Sequence, residues 1–228
     1  LADPDTAAAE QVLRKCVHCG FCNATCPTYV LLGDELDSPR GRIYLIKDML
    51  ERDRPATAAV VQHLDRCLSC LGCMNTCPSG VHYQHLIDHA REHVELTYRR
   101  PPVDRLVRLA LAKVLPFPGR LRGALRLASL LPRGWHGSGW VPASVRALLE
   151  LAAVHAAAPR GGAAHAATLP AARPAPRGRI ALVVGCVQGV LTPQTHAATQ
   201  RLLTRAGWDV VPVSGCCGAL THHLGRRQ

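Results

Sequence analysis

The chain has 228 residues, of which 48% are hydrophobic and 4% aromatic, so it can form one large or two small domains packed mainly by Leu, Val and Ala. Its first residues lack the basic and apolar regions of a secretory signal, and its uncharged runs are too polar to span a membrane, so we expect a cytoplasmic protein. Eleven cysteines in such a chain predict metal binding or redox chemistry and argue against a disulfide framework. The net charge of +11 predicts an acidic partner surface, anionic lipid or nucleic acid.

The first stretch, residues 1–98, contains an internal repeat of one cysteine motif. Both copies have the spacing C-x2-C-x2-C-x3-C-P of bacterial-type ferredoxins. In two-cluster ferredoxins the fourth cysteine of each run binds the other cluster. We therefore predict two [4Fe–4S] clusters in this stretch. One would be held by Cys16, Cys19, Cys22 and Cys77, and the other by Cys67, Cys70, Cys73 and Cys26.

Two other metal groups fit this pattern less well. Structural zinc uses two separated C-x-x-C pairs and has no need of a third close cysteine. A covalent c-type haem needs a histidine directly after a C-x-x-C pair, where this chain has Gly20. Four polar residues near the motifs are expected to lie around the clusters or at the surface, because four thiolates complete each site. They are His18, Asn23, Asn75 and His82.

Helices are predicted on both sides of the second motif. Residues 41–52 and 56–64 have helical patterns that Pro55 separates. Residues 83–98, after the second motif, have a helical pattern again. The first stretch is therefore predicted to be an all-α domain.

The basic segment, residues 99–179, carries the whole excess of positive charge. It has fourteen Lys or Arg and two acidic residues, which gives a net charge of +12. Residues 103–115 and 120–131 predict two amphipathic helices, and residues 156–177 predict a linker, so we assign residues 99–178 to a connector. Almost no aromatic residues are interleaved, so nucleic acid is disfavoured, and a solvated face or a protein or lipid docking surface fits better.

The last stretch, residues 179–228, predicts a strand–helix–strand unit. Residues 179–186 form a continuous apolar run typical of a buried parallel strand. Residues 195–206 predict a helix that Gly207 ends, and residues 209–213 predict a second strand. One such unit leaves a parallel sheet without neighbours, so we expect an incomplete α/β domain.

Three further cysteines lie where the two predicted strands end. Cys186 follows the first strand, and Cys216 and Cys217 follow the second. All three are expected at the same edge of the sheet, where open α/β sheets place their sites. Four explanations of these cysteines stay open: a redox-active dithiol, a cluster site, a cofactor contact and buried structural thiols.

Distinctive strings surround the cysteine motifs. The most specific are Cys26-Pro27-Thr28-Tyr29 and Gly33-Asp34-Glu35-Leu36-Asp37-Ser38-Pro39-Arg40-Gly41-Arg42. Further strings are His63-Leu64-Asp65-Arg66-Cys67-Leu68, Cys77-Pro78-Ser79-Gly80-Val81 and Gly215-Cys216-Cys217-Gly218-Ala219. Together they resemble the iron–sulfur subunits of glycolate oxidase, members of the CCG-domain family.

The resemblance implies an α+β, multi-domain chain. Residues 1–98 would be an all-α domain with two [4Fe–4S] clusters, similar to that of succinate dehydrogenase iron–sulfur subunits, and residues 179–228 a partial cysteine-rich CCG domain. The chain would be the electron-transfer subunit of an oxidoreductase whose FAD-containing subunits oxidise glycolate to glyoxylate. It would pass the electrons toward the respiratory chain, from a cytoplasmic position with peripheral contact to the inner membrane.

Other assignments stay open. Related CCG subunits serve glycerol-3-phosphate and lactate oxidation. A cluster-based regulatory or binding protein that docks through the basic segment is an alternative from another class, and a non-functional fragment of a longer gene is a third. No catalytic residue is predicted in this chain, because it has no cationic pocket motif or catalytic base.

Overall fold

The computed structural model describes residues 4–130, 142–157 and 177–226, which are mostly helical with one small parallel sheet. The elements are α1 (Pro4–Arg14), α2 (Pro27–Leu32), α3 (Pro39–Glu51), α4 (Ala58–Asp65), α5 (Gly72–Asn75), α6 (Tyr83–Thr97), α7 (Pro102–Val114), α8 (Pro118–Ser129), α9 (Ala143–Ala157), β1 (Arg179–Val184), α10 (Gln188–Leu191), α11 (Pro193–Arg205), β2 (Asp209–Ser214) and α12 (Ala219–His223). Short 3₁₀ turns lie at Phe21–Asn23 and Glu35–Asp37. The chain forms two compact units, Leu1–Arg100 with Ala219–Gln228, and Pro101–Gly218. The three-part division expected from the sequence stays a prediction.

The helices predicted around the second motif are confirmed as α3, α4 and α6. Helix α3 begins two residues earlier than predicted, because the Ser38 hydroxyl caps it by accepting from the Gly41 N–H, and Pro39 takes the first helical position. Helix α4 begins after Thr57, whose hydroxyl accepts from the Val60 N–H. Local capping chemistry therefore fixes where both helices start.

The core of the first unit lies between α1, α3, α4 and α6. Helix α6 contributes an apolar face at helical spacing. The most deeply buried core side chains are Ala9, Ile46, Leu64, Leu86, Ile87, Ala90 and Val94. Several motif cysteines pack against this core, namely Cys16, Cys22, Cys67 and Cys77. The motifs are therefore positioned by the core, although they lie in loops.

Helix α12 packs against α6 within the first unit. The imidazoles of His222 and His223 lie 3.0 and 3.2 Å from the carboxylate of Asp88, and Arg226 lies 3.3 Å from Glu95. The sequence pattern gave no sign of this contact, because it joins residues more than 130 positions apart.

The second unit contains the two amphipathic helices predicted in the basic segment, α7 and α8, which are confirmed. Of the linker predicted at residues 156–177, residues 158–176 lie outside the described part of the chain. Among the described residues, no helix is both long and apolar enough to cross a membrane.

The predicted strand–helix–strand unit is confirmed, with β1 and β2 parallel and Val184 opposite Ser214 at their carboxyl ends. Gly207 ends α11 with a φ of 92°, a left-handed conformation that glycine adopts without strain. The expectation that β1 is buried is wrong, since its residues alternate between exposed and half-buried. In the described residues the sheet has only two strands, so β1 pairs on one side alone and too little of the chain covers its faces.

Candidate metal centres

The two cysteine motifs fold into loops with the same backbone turns. His18 in the first copy and Ser69 in the second occupy equivalent positions and have φ values of 53° and 51°. Gly20 and Leu71 are also equivalent, with φ values of 82° and 58°. Left-handed turns of this kind direct backbone N–H groups into a concavity, an arrangement common at Fe–S sites. Leu71 accepts a conformation that costs a non-glycine residue about 1 kcal/mol or more, as is frequent at functional sites.

Two adjoining cavities in the first unit collect all eight motif cysteines. The first is lined by Cys16, Cys19, Cys22 and Cys77. The second is lined by Cys67, Cys70, Cys73 and Cys26. Cys73 also lines the first cavity, and Pro39 and Tyr83 line both. Apart from the shared Cys73, each cavity thus receives three cysteines from one motif and the fourth from the other, which is the predicted crossed grouping, while the ligation itself stays a prediction.

Hydrogen-bond donors face several of these sulfur atoms. The Arg42 guanidinium donates to Cys26 Sγ at 3.7 Å, and the Tyr83 hydroxyl donates to Cys67 Sγ at 3.7 Å. The backbone N–H of Val81 donates to Cys77 Sγ at 3.5 Å. Such donors suit sulfur atoms that carry negative charge, and thiolates are the usual ligands of Fe–S clusters. Both cavities therefore fit an iron–sulfur cluster, because they offer cysteine sulfur atoms as ligands and place hydrogen-bond donors against some of those sulfur atoms.

A buried charge network lies beside the second cavity. The side chain of Arg42 is 1% exposed and that of Asp37 is 0% exposed. Arg42 donates to the His63 carbonyl oxygen at 2.7 Å and to the Asp37 carboxylate at 3.4 Å. The same carboxylate lies 2.9 Å from His63 Nδ1 and accepts from Arg66 at 2.7 Å. This network joins α3, α4 and the turn before α3, so it fixes the position of Arg42.

The thiols respond differently to their surroundings. Burial acts to raise the pKa of Cys26, but hydrogen bonds from Thr28, the Tyr29 backbone and Arg42 outweigh it, so the pKa lies below that of an ordinary thiol. Burial raises the pKa of Cys73 to about 12 and also raises the pKa of Cys22. Cys26 is thus the thiol whose environment most favours a negative charge among these three.

A second ion pair lies at the first cavity. Arg40, which lines this cavity, lies 2.7 Å from Glu35 and donates to the His18 carbonyl oxygen at 3.3 Å. The hydrogen bond from Arg40 lowers the pKa of Glu35, although burial acts against it. Asn23 also donates to Glu35, at 3.2 Å, and its side-chain oxygen accepts from Cys22 Sγ at 3.7 Å, so this residue of the motif lies beside a sulfur position.

Arg91 of α6 holds the loop of the second motif. Its side chain donates to the carbonyl oxygen of Cys67 and to the hydroxyl of Ser69, each at 2.6 Å, and the residue is 7% exposed. A buried cation therefore lies close to the main chain of this loop.

Sequence reasoning did not identify Asp37, Arg42, His63, Tyr83 or Arg91 as functional residues. The first three lie within the strings that carry the family resemblance, and that was the available signal. Arg42 lies 21 positions before its partner His63, and Asp37 lies 26 positions before it. Motif spacing alone does not predict contacts over such separations.

The remaining cysteines lie in the second unit, where β1 and β2 end. Cys186 is half-buried. Burial raises the pKa of its thiol, and the nearby Cys216 raises it further by a smaller amount. Cys216 and Cys217 are exposed, so the explanation as buried structural thiols is wrong for these two.

Comparison with known protein families indicates the class of domain to which the cysteine motifs belong. Residues 12–81 match the family described as "4Fe-4S dicluster domain", and this stretch contains all eight cysteines of the two cavities. Residues 12–81 of the first unit are therefore similar to a ferredoxin-like iron–sulfur domain.

The chain as a whole is similar to the iron–sulfur subunits of glycolate oxidase, which confirms the resemblance predicted from the sequence. It is 44% identical over 222 residues to the "Glycolate oxidase iron-sulfur subunit" of Escherichia coli (strain K12), with 96% of this chain and 50% of the relative covered. It is 34% identical over 230 residues to the "Probable glycolate oxidase iron-sulfur subunit" of Bacillus subtilis (strain 168), with 96% and 52% covered. The chain thus spans about half the length of these relatives.

A shorter similarity links the chain to the "Succinate dehydrogenase iron-sulfur subunit" of Paracoccus denitrificans, at 29% identity over 75 residues, or 30% of this chain and 29% of the relative. No solved structure matches the chain.

Proposed function

We propose that this chain is the electron-transfer iron–sulfur subunit of a glycolate oxidase. It would receive electrons from FAD-containing subunits that oxidise glycolate to glyoxylate and pass them toward the respiratory chain. The observation that carries this proposal is the gathering of four cysteines in each of two adjoining cavities, in a chain similar over 96% of its length to such subunits. A role as one subunit of an oxidoreductase follows from the same similarity.

Two [4Fe–4S] clusters with crossed ligation are part of the proposal. Cys16, Cys19, Cys22 and Cys77 would hold one, and Cys67, Cys70, Cys73 and Cys26 the other. Each cluster, when bound, accepts and releases one electron. The protein would hold the two centres side by side, with Pro39, Cys73 and Tyr83 lining both cavities. Arg91 and Arg42 would fix the loops and sulfur atoms of the second site.

The second unit is proposed to contain part of a CCG domain. Its support is the parallel pair β1–β2 with Cys186 and Cys216 following the strands at one edge. The position of these thiols suits a contact with a cofactor or with another subunit.

Cytoplasmic location with peripheral contact to the inner membrane is proposed from the surface of α7 and α8. Arg105, Arg122 and Arg126 are exposed there. Leu106 and Leu127 are also exposed, at 67% and 70%. Exposed cations beside apolar side chains suit binding to an anionic membrane surface, to which each Lys or Arg contributes about 1 kcal/mol.

The decisive experiment is anaerobic co-purification of this chain with the flavin-binding products of neighbouring genes. Addition of glycolate should then bleach the visible absorbance of the iron–sulfur protein. Glycerol 3-phosphate and D- or L-lactate are the comparison substrates, and a response to one of these alone would reassign the complex. Co-purification of nucleic acid without any flavoprotein would favour a regulatory protein.

A further inference from the structure

The two cavities differ in the charge placed against their sulfur atoms. At the second cavity, Arg42 donates directly to Cys26 Sγ at 3.7 Å, and its side chain is 1% exposed. The Thr28 hydroxyl accepts from the same guanidinium at 3.0 Å and lies 3.2 Å from Cys26 Sγ. A fixed positive charge and a hydroxyl group therefore meet at one sulfur atom.

The charged groups around Arg42 include both anions and cations. Asp37 is a buried anion, Arg66 is a second cation, and His63 is either neutral or positive. The exposed Asp34 also has a carboxylate oxygen within 4.8 Å of the side-chain ligand atoms of Asp37 and His63, so the net charge of the group is zero or positive, and Arg42 is the cation of this group that contacts the sulfur. Arg91, which holds the main chain at Cys67 and Ser69, adds another cation near the same loop.

At the first cavity the charges cancel. Arg40 is paired with Glu35 at 2.7 Å, and their side chains are 35% and 45% exposed. Cys77 accepts from the neutral backbone N–H of Val81 at 3.5 Å. This site therefore has a neutral donor at its sulfur and a balanced, solvent-screened ion pair at its rim.

We infer that Arg42, held in place by Thr28 and Asp37, gives the cluster at the second cavity a higher reduction potential than the cluster at the first. The inference rests on the proposed ligation. Reduction adds a negative charge, and hydrogen bonds and positive charge at the sulfur atoms favour the reduced form. An electron shared between the two centres therefore resides mainly at the second.

Burial alone acts in the opposite direction. Cys26 and Cys73 are each 8% exposed, and a dry environment disfavours added charge. The same environment strengthens the interaction with Arg42, because charges interact more strongly at low effective dielectric constant. A donor that is itself charged also makes a hydrogen bond roughly twice as strong as a neutral one. At Cys26 the hydrogen bonds from Thr28, the Tyr29 backbone and Arg42 together outweigh burial, and we extend this balance to the cluster.

The test is an anaerobic potentiometric titration of the full chain, followed by EPR of the reduced clusters. The wild type should show two separate one-electron waves. Cys26→Ser, which alters the second site, should perturb the wave at higher potential. Arg42→Gln should lower the midpoint potential of that wave. The reduced-to-oxidised ratio at a fixed potential should fall about tenfold, which is equivalent to about 59 mV for one electron. The wave at lower potential should stay in place.

Three variants separate charge from structure. Arg42→Lys retains the charge and should restore most of the potential. Thr28→Val leaves the charge but removes one anchor of Arg42, so it should lower the same wave by a smaller amount. Arg66→Gln is the matched control, because Arg66 binds the same Asp37 carboxylate with a side chain that is 41% exposed. This control should change the ratio much less than Arg42→Gln does.

The outcomes are distinguishable. Two coincident waves in the wild type, or a Cys26→Ser effect on the lower wave, would overturn the inference even if Arg42→Gln loses iron. Unmoved waves in the iron-replete Arg42→Gln or Thr28→Val protein would overturn it as well. A wild-type protein with a single cluster, or with zinc, would instead refute the proposed function on which the inference rests.

Discussion

The hydroxyl oxygens of Thr25 and Thr76 lie 3.2 Å apart, although the two residues are 51 positions apart in the chain. The two threonines occupy equivalent positions, each directly before the fourth cysteine of its motif. Their contact therefore brings the two copies of the repeat together at the point where Cys26 and Cys77 turn toward the opposite cavity.

The crossed grouping predicts which cluster each fourth cysteine supports. Cys26→Ser should damage the cluster of Cys67, Cys70 and Cys73, and Cys77→Ser should damage that of Cys16, Cys19 and Cys22. The reason is that each fourth sulfur lines the cavity of the other motif. EPR and Mössbauer spectra of the two variants provide the measurement. Damage confined to the cluster of the mutated motif would refute the crossed arrangement.

The number of clusters predicts the metal content. Two [4Fe–4S] clusters require about eight irons and eight sulfides per chain. Anaerobic purification followed by iron, sulfide and zinc analysis measures this directly. About half of that iron would indicate one cluster, and zinc without sulfide would indicate a structural zinc site.

Spacing and period were sufficient to predict α3, α4, α6 and the parallel strand pair. The repeat also predicted a crossed grouping of the eight cysteines that the lining of the two cavities matches, while the ligation stays a prediction. Spacing and period were not sufficient for the network of Asp37, Arg42 and His63, because a buried ion pair is selected by tertiary contacts and has no local pattern. The exposure of β1 was missed for a related reason. An apolar run shows that a strand could be covered but not how much of the chain covers it.

Replacing Gly41 with a larger residue should cause a strong steric clash at the start of α3. A Cβ at this position would overlap the Glu35 carbonyl oxygen and lie 2.8 Å from Leu36 Cα. Both contacts are with backbone, so Gly41→Ala should force α3 away from the preceding turn and destabilise the protein by about 1–3 kcal/mol.

The matched control is Gly123→Ala in α8, where nothing lies within 4 Å of an added Cβ. This change should stabilise the helix by up to about 1 kcal/mol. Urea unfolding followed by circular dichroism measures both variants. Equal stability of Gly41→Ala and the wild type would contradict the close packing of α3.

Asp37 predicts a pH-dependent contribution to stability. Burial acts to raise its pKa, but hydrogen bonds from His63 and Arg66 overcome this and lower it. A lowered carboxyl pKa stabilises the fold above the unfolded value of about 3.9, and this contribution is lost as the pH falls through the folded pKa. Asp37→Asn should therefore cost about 3–5 kcal/mol at neutral pH, because it leaves buried Arg42 without its anion.

The difference in unfolding free energy between Asp37→Asn and the wild type should stay constant down to about pH 5 and narrow only below about pH 4. Urea unfolding over this pH range is the measurement. Asp34→Asn serves as the control, because Asp34 is an exposed carboxylate that accepts from the Leu36 N–H. A difference that vanishes already at neutral pH would rule out an ionised Asp37.

The exposed cations of α7 and α8 predict salt-sensitive attachment. Replacing Arg105, Arg122 and Arg126 with Gln should shift the complex from the membrane to the soluble fraction, or release the flavin-containing subunit, and more so at higher salt. Salt screens these charges over a Debye length of about 8 Å. Arg52→Gln with Arg54→Gln, two exposed cations of the first unit, is the control. Unchanged fractionation and co-purification at every salt concentration would mean that the basic segment is only a solvated surface.

The shared lining of the two cavities has a consequence for biosynthesis. While the chain leaves the ribosome, the first motif offers three cysteines to the first cavity, and Cys77 completes that set only after about fifty further residues have been made. The cysteine set of the second cavity is also incomplete until the second motif has been made, although its fourth cysteine, Cys26, is made early. Under the proposed ligation, iron delivered before Cys77 has been made would find no complete site. Loading would then follow the meeting of the two motifs, and a chain that stops between them would acquire neither centre.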